Sequence, residues 1–391
     1  MIDPFIFTSP PQIHFGLGKY CSIPGIVKQY GDNLLLITGA SSFLTSDNYH
    51  SLMNTFERKG FKIYEERVIS EPSPNIVDLI TAEHRQNNIQ AVIAIGGGSV
   101  MDAGKAVSAM LPLNDSVMEY LEGVGSGKVH EGIKIPFIAV PTTAGTGTEA
   151  SKNAVLSKVG EDGFKKSLRH NNFVPNVAVV DPSLTLSCPK ELTTYSGMDA
   201  FTQLLESYLS TTASEMTDIL ALEGLRAIKT SLPKVLVEPT NPDARISMSY
   251  AALLSGITLA NAGLGAVHGF ASSLGGYYNI PHGVVCGTLL GICNRLTVNN
   301  LRAKQKDGVA LGKYTTLGKL FVDKEYASDD AYIDAFLDLL DEWTDKYKIP
   351  RLHNYGVTKE DFDKVIKTTN SKNNPAKLYP EDMRVALQAR L

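Results

Sequence analysis

Short apolar runs recur between about residues 33 and 181: NLLLIT (33–38), FKIYEERV (61–68), AVIAIG (91–96), PFIAVPT (136–142) and VAVVDP (177–182). Their β-branched content predicts strands, and the longer amphipathic stretches between them predict helices. Strand and helix in alternation make a mostly parallel α/β sheet. After DPSLTLSCPKE (181–191), punctuated by Pro182 and Pro189, the period changes. Stretches such as SGMDAFTQLLESYLS (196–210) and DAYIDAFLDLLDEWTDKY (330–347) carry helical spacing, so the second half is expected to be all-helical. The fold class read from this pattern is α/β: an N-terminal domain over residues 1–185, followed by an all-α domain over 186–391. No internal repeat or low-complexity linker interrupts it.

A chain of 391 residues suits two cores. Its 37 Lys+Arg against 41 Asp+Glu lack the basic excess that binding a phosphate backbone needs, which excludes nucleic acid as an expected partner. The segment MIDPFIFTSPPQIHFGLG has neither a basic leader nor a continuous apolar run, and no stretch offers about 18 uninterrupted apolar residues. The expectation is a cytoplasmic chain that does not engage a membrane. Cys21, Cys188, Cys286 and Cys293 show no CxxC spacing and fit a reducing compartment; Cys286 and Cys293 read as small buried groups.

Chemistry enters with AVIAIGGGSVMDAGKAVS (91–108), a strand, a turn through Gly96, Gly97, Gly98 and Ser99, and a helix. Glycines let a backbone approach a phosphate closely, and the free N–H groups at the following helix start favour an anion. The spacing is not GxGxxG, so a plain βα turn accounts for it too. In IAVPTTAGTGTEAS (138–151), Thr142, Thr143 and Thr146 can donate to ribose or phosphate oxygens, and each equally suits a local cap. Both loops follow strands, at the carboxyl ends where open α/β sheets bind nucleotides.

Four residues could gather round a metal. Asp199 and Gln203 are one helical turn apart, and GAVHGFASSLGGYYNIPHGVVCG (265–287) holds His268 on an expected helix and His282 beyond a turn. One carboxylate, two imidazoles and an amide oxygen suit Zn²⁺ or Fe²⁺ better than Ca²⁺ or Mg²⁺. Singly, each has an ordinary explanation as a core or capping residue.

GGGSVMDAGKA, PTTAGTGTEAS, the Asp-Pro at 181–182, GMDAFTQ, VHGFA and IPHG stand in the order and rough spacing seen in iron-containing (group III) alcohol dehydrogenases, which the chain resembles from about Phe5 to its C-terminus. The resemblance implies a dinucleotide-binding domain, a helical metal domain and an active site between them. It assigns Gly97, Gly98 and Ser99 to the pyrophosphate, Asp102 to the cofactor's vicinity, Thr142, Thr143 and Thr146 to further contacts, and Lys165 to the ribose. It makes Asp199, His268 and His282 metal ligands and, through the metal, the catalytic residues. Most alcohol-oxidising members have histidine at Gln203 and at Ser272. Gln203 then serves as an oxygen ligand or holds a metal-bound water, and Ser272 removes a group able to relay the alcohol proton.

The family often has aspartate where Gly39 stands when it uses NAD. Here Gly39, Ala40, Ser41 and Ser42 follow the strand without a carboxylate, which favours NADP over NAD, although no arginine adjoins them. The implied activity is metal-dependent hydride transfer between NAD(P) and a small alcohol or aldehyde, in a homodimer or larger assembly whose edge strand is PQIHFGLG. A metal-free reductase of the superfamily, a lyase of dehydroquinate-synthase type and a non-catalytic relative are the alternatives.

Overall fold

The computed structural model of the protein describes residues 3–304 and 308–391. Six parallel strands form the N-terminal sheet: β1 (Gln12–Phe15), β2 (Asn33–Thr38), β3 (Lys62–Arg67), β4 (Ala91–Gly96), β5 (Phe137–Pro141) and β8 (Val177–Val180), in the order β1-β8-β5-β4-β2-β3. Helices α1 (Ile23–Lys28), α2 (Asp47–Arg58), α3 (Pro74–His84) and α4 (Gly98–Met110) connect them. Every residue of β4 is buried, which explains its unbroken apolar run: a central parallel strand is covered on both faces. One apolar cluster gathers Leu34, Leu36, Phe56 and Ile93 on one side of the sheet; another gathers Leu35, Ile37, Ala94 and Val107 on the other. The order turns at β2 and β4, since β3 lies outward of β2 while β5 continues from β4. This reversal opens the crevice in which doubly wound sheets hold dinucleotides.

A two-stranded antiparallel hairpin, β6 (Asn153–Lys158) with β7 (Phe164–Arg169), was not expected from the apolar pattern. Its strands NAVLSK and FKKSLR are polar and only partly buried, so they carry little of the signal that marks the central strands.

The last strand of the sheet ends at Val180 and the first long helix begins at Lys190. From there the chain is helical: α5 (Lys190–Leu209), α6 (Glu215–Val237), α7 (Pro242–Ala262), α8 (Ala266–Tyr277), α9 (His282–Lys304), α10 (Val309–Phe321), α11 (Asp329–Lys346), α12 (Phe362–Thr368) and α13 (Pro380–Ala389). Ser214 and Asn241 cap α6 and α7 by accepting from Thr217 N and Ala244 N. Helix α5 runs through the middle of the bundle, buried at every residue from Gly197 to Ser210. Asp199, Gln203 and Glu206 therefore sit in the core, where polar groups need partners. Among the described residues no single helix is long and apolar enough to cross a membrane.

Candidate active site

The glycine turn and the threonine loop meet at the carboxyl end of the sheet. Thr142 N donates to Gly96 O at 2.9 Å, tying the two loops together. A Cβ on Gly97 would touch Thr143 at 3.6 Å, and one on Gly98 would press into Thr146 Cγ2 at 2.5 Å. The absence of side chains at both positions thus leaves a backbone cradle at the start of α4. Gly97, Gly98, Ser99, Thr142, Thr143 and Thr146 are all half-buried, as residues lining a cleft are. Below the turn Asp102 is buried, its Oδ1 lacks any partner, and burial pushes its carboxyl up to about 7. Gly39 and the exposed Ser41 lie beyond β2, across the crevice from this cradle. The strand register puts Arg67 of β3 opposite Thr38, the residue before Gly39.

Lys165 lies on β7 with a largely buried side chain, unlike the exposed Lys166. Its Nζ reaches Glu71 Oε2 at 2.8 Å, while Ser99 Oγ donates to Glu71 Oε1 at 3.3 Å. Glu71 therefore joins the glycine turn to the hairpin. Sequence reading missed it, because a lone glutamate in the loop SEPSPN belongs to no motif. A second unread residue is Lys105 of α4. Its fully buried ammonium donates to Thr148 O, Ser151 O and Asn153 O at 2.7–2.9 Å, anchoring the segment after the threonine loop.

The metal-binding candidates converge in the helical domain. Helices α7 and α8 are bent by 97° at a break containing Gly263, and this turn aims His268 at α5. Helix α9 begins at His282; a Cβ on Gly283 would stand 2.1 Å from Tyr195 O, so only glycine lets this helix start so near α5. His268 Nε2 lies 3.3 Å and His282 Nε2 lies 3.6 Å from Asp199 Oδ1, with the two rings 5.3 Å apart. Cys286, one turn after His282, brings its Sγ to 3.5 Å from the same carboxylate oxygen.

Gln203 lies one turn above Asp199. Its Oε1 accepts from Ser255 Oγ at 3.0 Å, and its amide favours the ionised form of the Asp199 carboxyl. Ser272 is exposed on α8, one turn beyond His268. Tyr277 and Tyr278 stack beside the Lys364 ammonium, at 5.1 and 5.2 Å.

The donor set fits a divalent cation. Burial opposes the charge on Asp199, but His282, His268 and Gln203 outweigh it and hold the carboxyl down to about 2. Burial lowers His282 to about 4, leaving a neutral imidazole with a free lone pair, and its Nδ1 has no partner. Burial also disfavours charge on His268, yet Cys286, Asp199 and Glu206 hold its pKa well above the ordinary value. The cluster attracts a positive charge, which a cation supplies in place of that proton. A Cβ on Gly275 of α8 would meet the Lys165 side chain at 3.0 Å, so the hairpin that reaches the cradle through Glu71 also packs on the helix that carries His268, and Lys165 and Glu71 both act electrostatically on His282.

Comparison with known proteins agrees with this geometry. The model of the iron-containing alcohol dehydrogenases matches residues 10–182, and that of the Fe-containing alcohol dehydrogenase family's C-terminal domain matches residues 193–391. Alcohol dehydrogenase 4 of Saccharomyces cerevisiae (strain YJM789) is 33% identical over 306 residues, 77% of this chain and 78% of that protein. Long-chain-alcohol dehydrogenase 1 of Geobacillus thermodenitrificans is 32% identical over 282 residues, covering 72% and 70% of the respective chains. The solved structure of an alcohol dehydrogenase from Oenococcus oeni superposes with a TM-score of 0.88 at 26% identity, covering 99% of this chain and all of that one. A parallel dinucleotide sheet, a helical domain with an Asp-His-His cluster and these matches over both halves lead to one conclusion: the chain belongs to the iron-containing alcohol dehydrogenase family, the metal-dependent NAD(P) alcohol oxidoreductases.

Proposed function

We propose that this chain interconverts a small alcohol and its aldehyde with NADP as the favoured nicotinamide, and that Asp199, His268 and His282 carry the catalytic metal. When bound, a divalent cation contributes Lewis acidity at a substrate oxygen and the nicotinamide carries the hydride. The observation that carries the reading is the Glu71 junction: one carboxylate touches Ser99 of the cradle and Lys165 of the hairpin and acts on His282 of the cluster. Hydride transfer requires nicotinamide and metal to share one cleft, and this junction supports that arrangement.

The chain's own residues set the rest. Asp199 stays ionised, and Gln203 braces it from the neighbouring turn while Ser255 occupies the amide oxygen. Gly97 and Gly98 leave backbone room for a pyrophosphate, and Asp102, whose Oδ1 has no protein partner, lies beneath them. The NADP preference is supported by the missing carboxylate after β2 together with exposed Arg67 at the end of β3, a cation suited to a 2′-phosphate. Ser272, exposed and lacking an imidazole, leaves proton exchange with solvent to another route.

Strand β1 lies at the sheet's edge, which supports a homodimer or larger homo-oligomer. Four free cysteines suit a cytoplasmic location. The test is elemental analysis of purified protein combined with a screen of short alcohols and aldehydes against NAD and NADP. Bound metal and net change in nicotinamide absorbance are expected; a lyase would give no net change. Replacing His282 with Ala should remove metal and nearly all turnover while cofactor binding persists, and unchanged turnover would refute the assignment.

A further inference from the structure

Cys286 belongs to the apolar core and also borders the metal-binding candidates. It lies on α9 at i+4 from His282, wholly buried, and its Sγ is 3.5 Å from Asp199 Oδ1 and 3.7 Å from His268 Nε2. One ligand atom from each of Asp199, His268, His282 and Cys286 lies within 4.8 Å of all the others. Zinc binds nitrogen at about 2.0–2.1 Å and thiolate at about 2.3 Å with tetrahedral angles, which puts neighbouring N and O donors about 3.3 Å apart and S about 3.6 Å from either. The separations here are 3.3 Å for His268 Nε2 to Asp199 Oδ1, 3.6 Å for His282 Nε2 to the same oxygen, and 3.5 and 3.7 Å for the two contacts of sulfur. Four of the six edges of a tetrahedron drawn round one ion thus have the expected length, and the remaining two lie within 4.8 Å.

A thiol donating weakly to Asp199 would account for one of the two sulfur contacts. The second contact, to His268 Nε2, is a weak hydrogen bond in the metal-free chain, and that nitrogen is the one left for a metal once Glu206 holds the proton on Nδ1 at 2.7 Å. Gln203 competes less well for the same corner, since its amide oxygen already accepts from Ser255 Oγ.

We propose that Cys286 is a fourth protein ligand, bound as thiolate, and that it biases the site toward zinc over iron. The thiol S–H bond is lost as the sulfur–metal bond forms, the proton passes to solvent, and no oxidation state changes. Soft sulfur favours zinc over ferrous iron, and catalytic zinc accommodates a fifth donor, so four protein ligands are compatible with turnover. The proposal rests on the metal reading of the Asp199 cluster, and its test separates the two.

Metal-stripped full-length protein is loaded with cobalt(II), and cobalt content is measured independently of absorbance. One cobalt per chain with a near-ultraviolet thiolate-to-cobalt charge-transfer band is expected. Cys286→Ala and Cys286→Ser should still bind cobalt but lose the band, whereas Cys293→Ala should keep it. In chelator competition Cys286→Ala should weaken zinc by about 10-fold or more and iron by less. Bound cobalt without the band, or a band undiminished in Cys286→Ala, overturns the thiolate ligand alone. Failure to bind cobalt at all overturns both this proposal and the metal site beneath it.

Discussion

Glu206 Oε2 lies 2.7 Å from His268 Nδ1, while Oε1 of the same carboxylate accepts from Val267 N at 2.7 Å. One buried group on α5 thus caps the start of α8 and fixes the tautomer of the histidine that α8 presents, leaving Nε2 for a metal. An amide at this position has one oxygen for two donors. Glu206→Gln should therefore weaken metal binding by about 10-fold to 100-fold and cost about 1–3 kcal/mol of stability. Chelator competition and thermal unfolding check this; unchanged metal affinity would reduce Glu206 to a helix cap.

Most of this architecture was legible in the chain because its physical signals are local. Central strands such as AVIAIG are covered on both faces and read as continuous apolar runs, and α5 announces itself by length and period. Asp199, His268 and His282 stood in recognisable segments, and the structure gathers them. Other residues acquire meaning only through tertiary placement. Cys286 lies in an apolar helix and reads as packing until α9 is set against α5 and α8. Glu71 has no motif, and Arg67 becomes relevant to Gly39 only through the pairing of β2 with β3. The β6–β7 hairpin escaped because its strands are polar, although it delivers Lys165 to Glu71.

The glycine cradle permits a steric test. A Cβ at position 98 would stand 2.5 Å from Thr146 Cγ2 and 3.1 Å from Thr146 Cβ, so rotating the threonine does not relieve it. Gly98→Ala should separate the two loops, raise KM for the nicotinamide by at least about 10-fold and cost about 1–3 kcal/mol as overpacking. Adding Thr146→Ser removes the nearest carbon and should recover part of both losses. If the single variant binds cofactor normally, the two loops do not jointly form the cradle.

Cofactor choice should turn on two positions. A Cβ on Gly39 meets only Val100 Cγ2 at 3.6 Å, an ordinary contact, so a carboxylate fits there. Gly39→Asp should repel a 2′-phosphate and favour the free ribose hydroxyl, moving preference toward NAD by about 10-fold or more. Arg67→Ala should raise KM for NADP by a similar factor and leave NAD unchanged. Comparing kcat/KM for both cofactors decides this, and equal effects on the two would remove Arg67 from phosphate recognition.

The loop under the cradle should leave its mark on pH stability. Glu149 is buried, and that burial lifts its carboxyl from an ordinary 4.5 to about 7 against the pull of its own backbone N–H and of Lys105. The folded protein then keeps a proton that the unfolded chain has released. This contribution is complete below 4.5 and lost as pH rises through about 7. Lys105 offers no full compensation, because its ammonium is already directed at the carbonyls of Thr148, Ser151 and Asn153. Glu149→Gln keeps the shape without the titration. Its stability advantage over the parent should grow across that window and level off above it, reaching roughly 3 kcal/mol. Thermal unfolding at constant ionic strength measures the difference. An advantage that stays constant with pH would mean that Glu149 folds already ionised, with Lys105 as its partner.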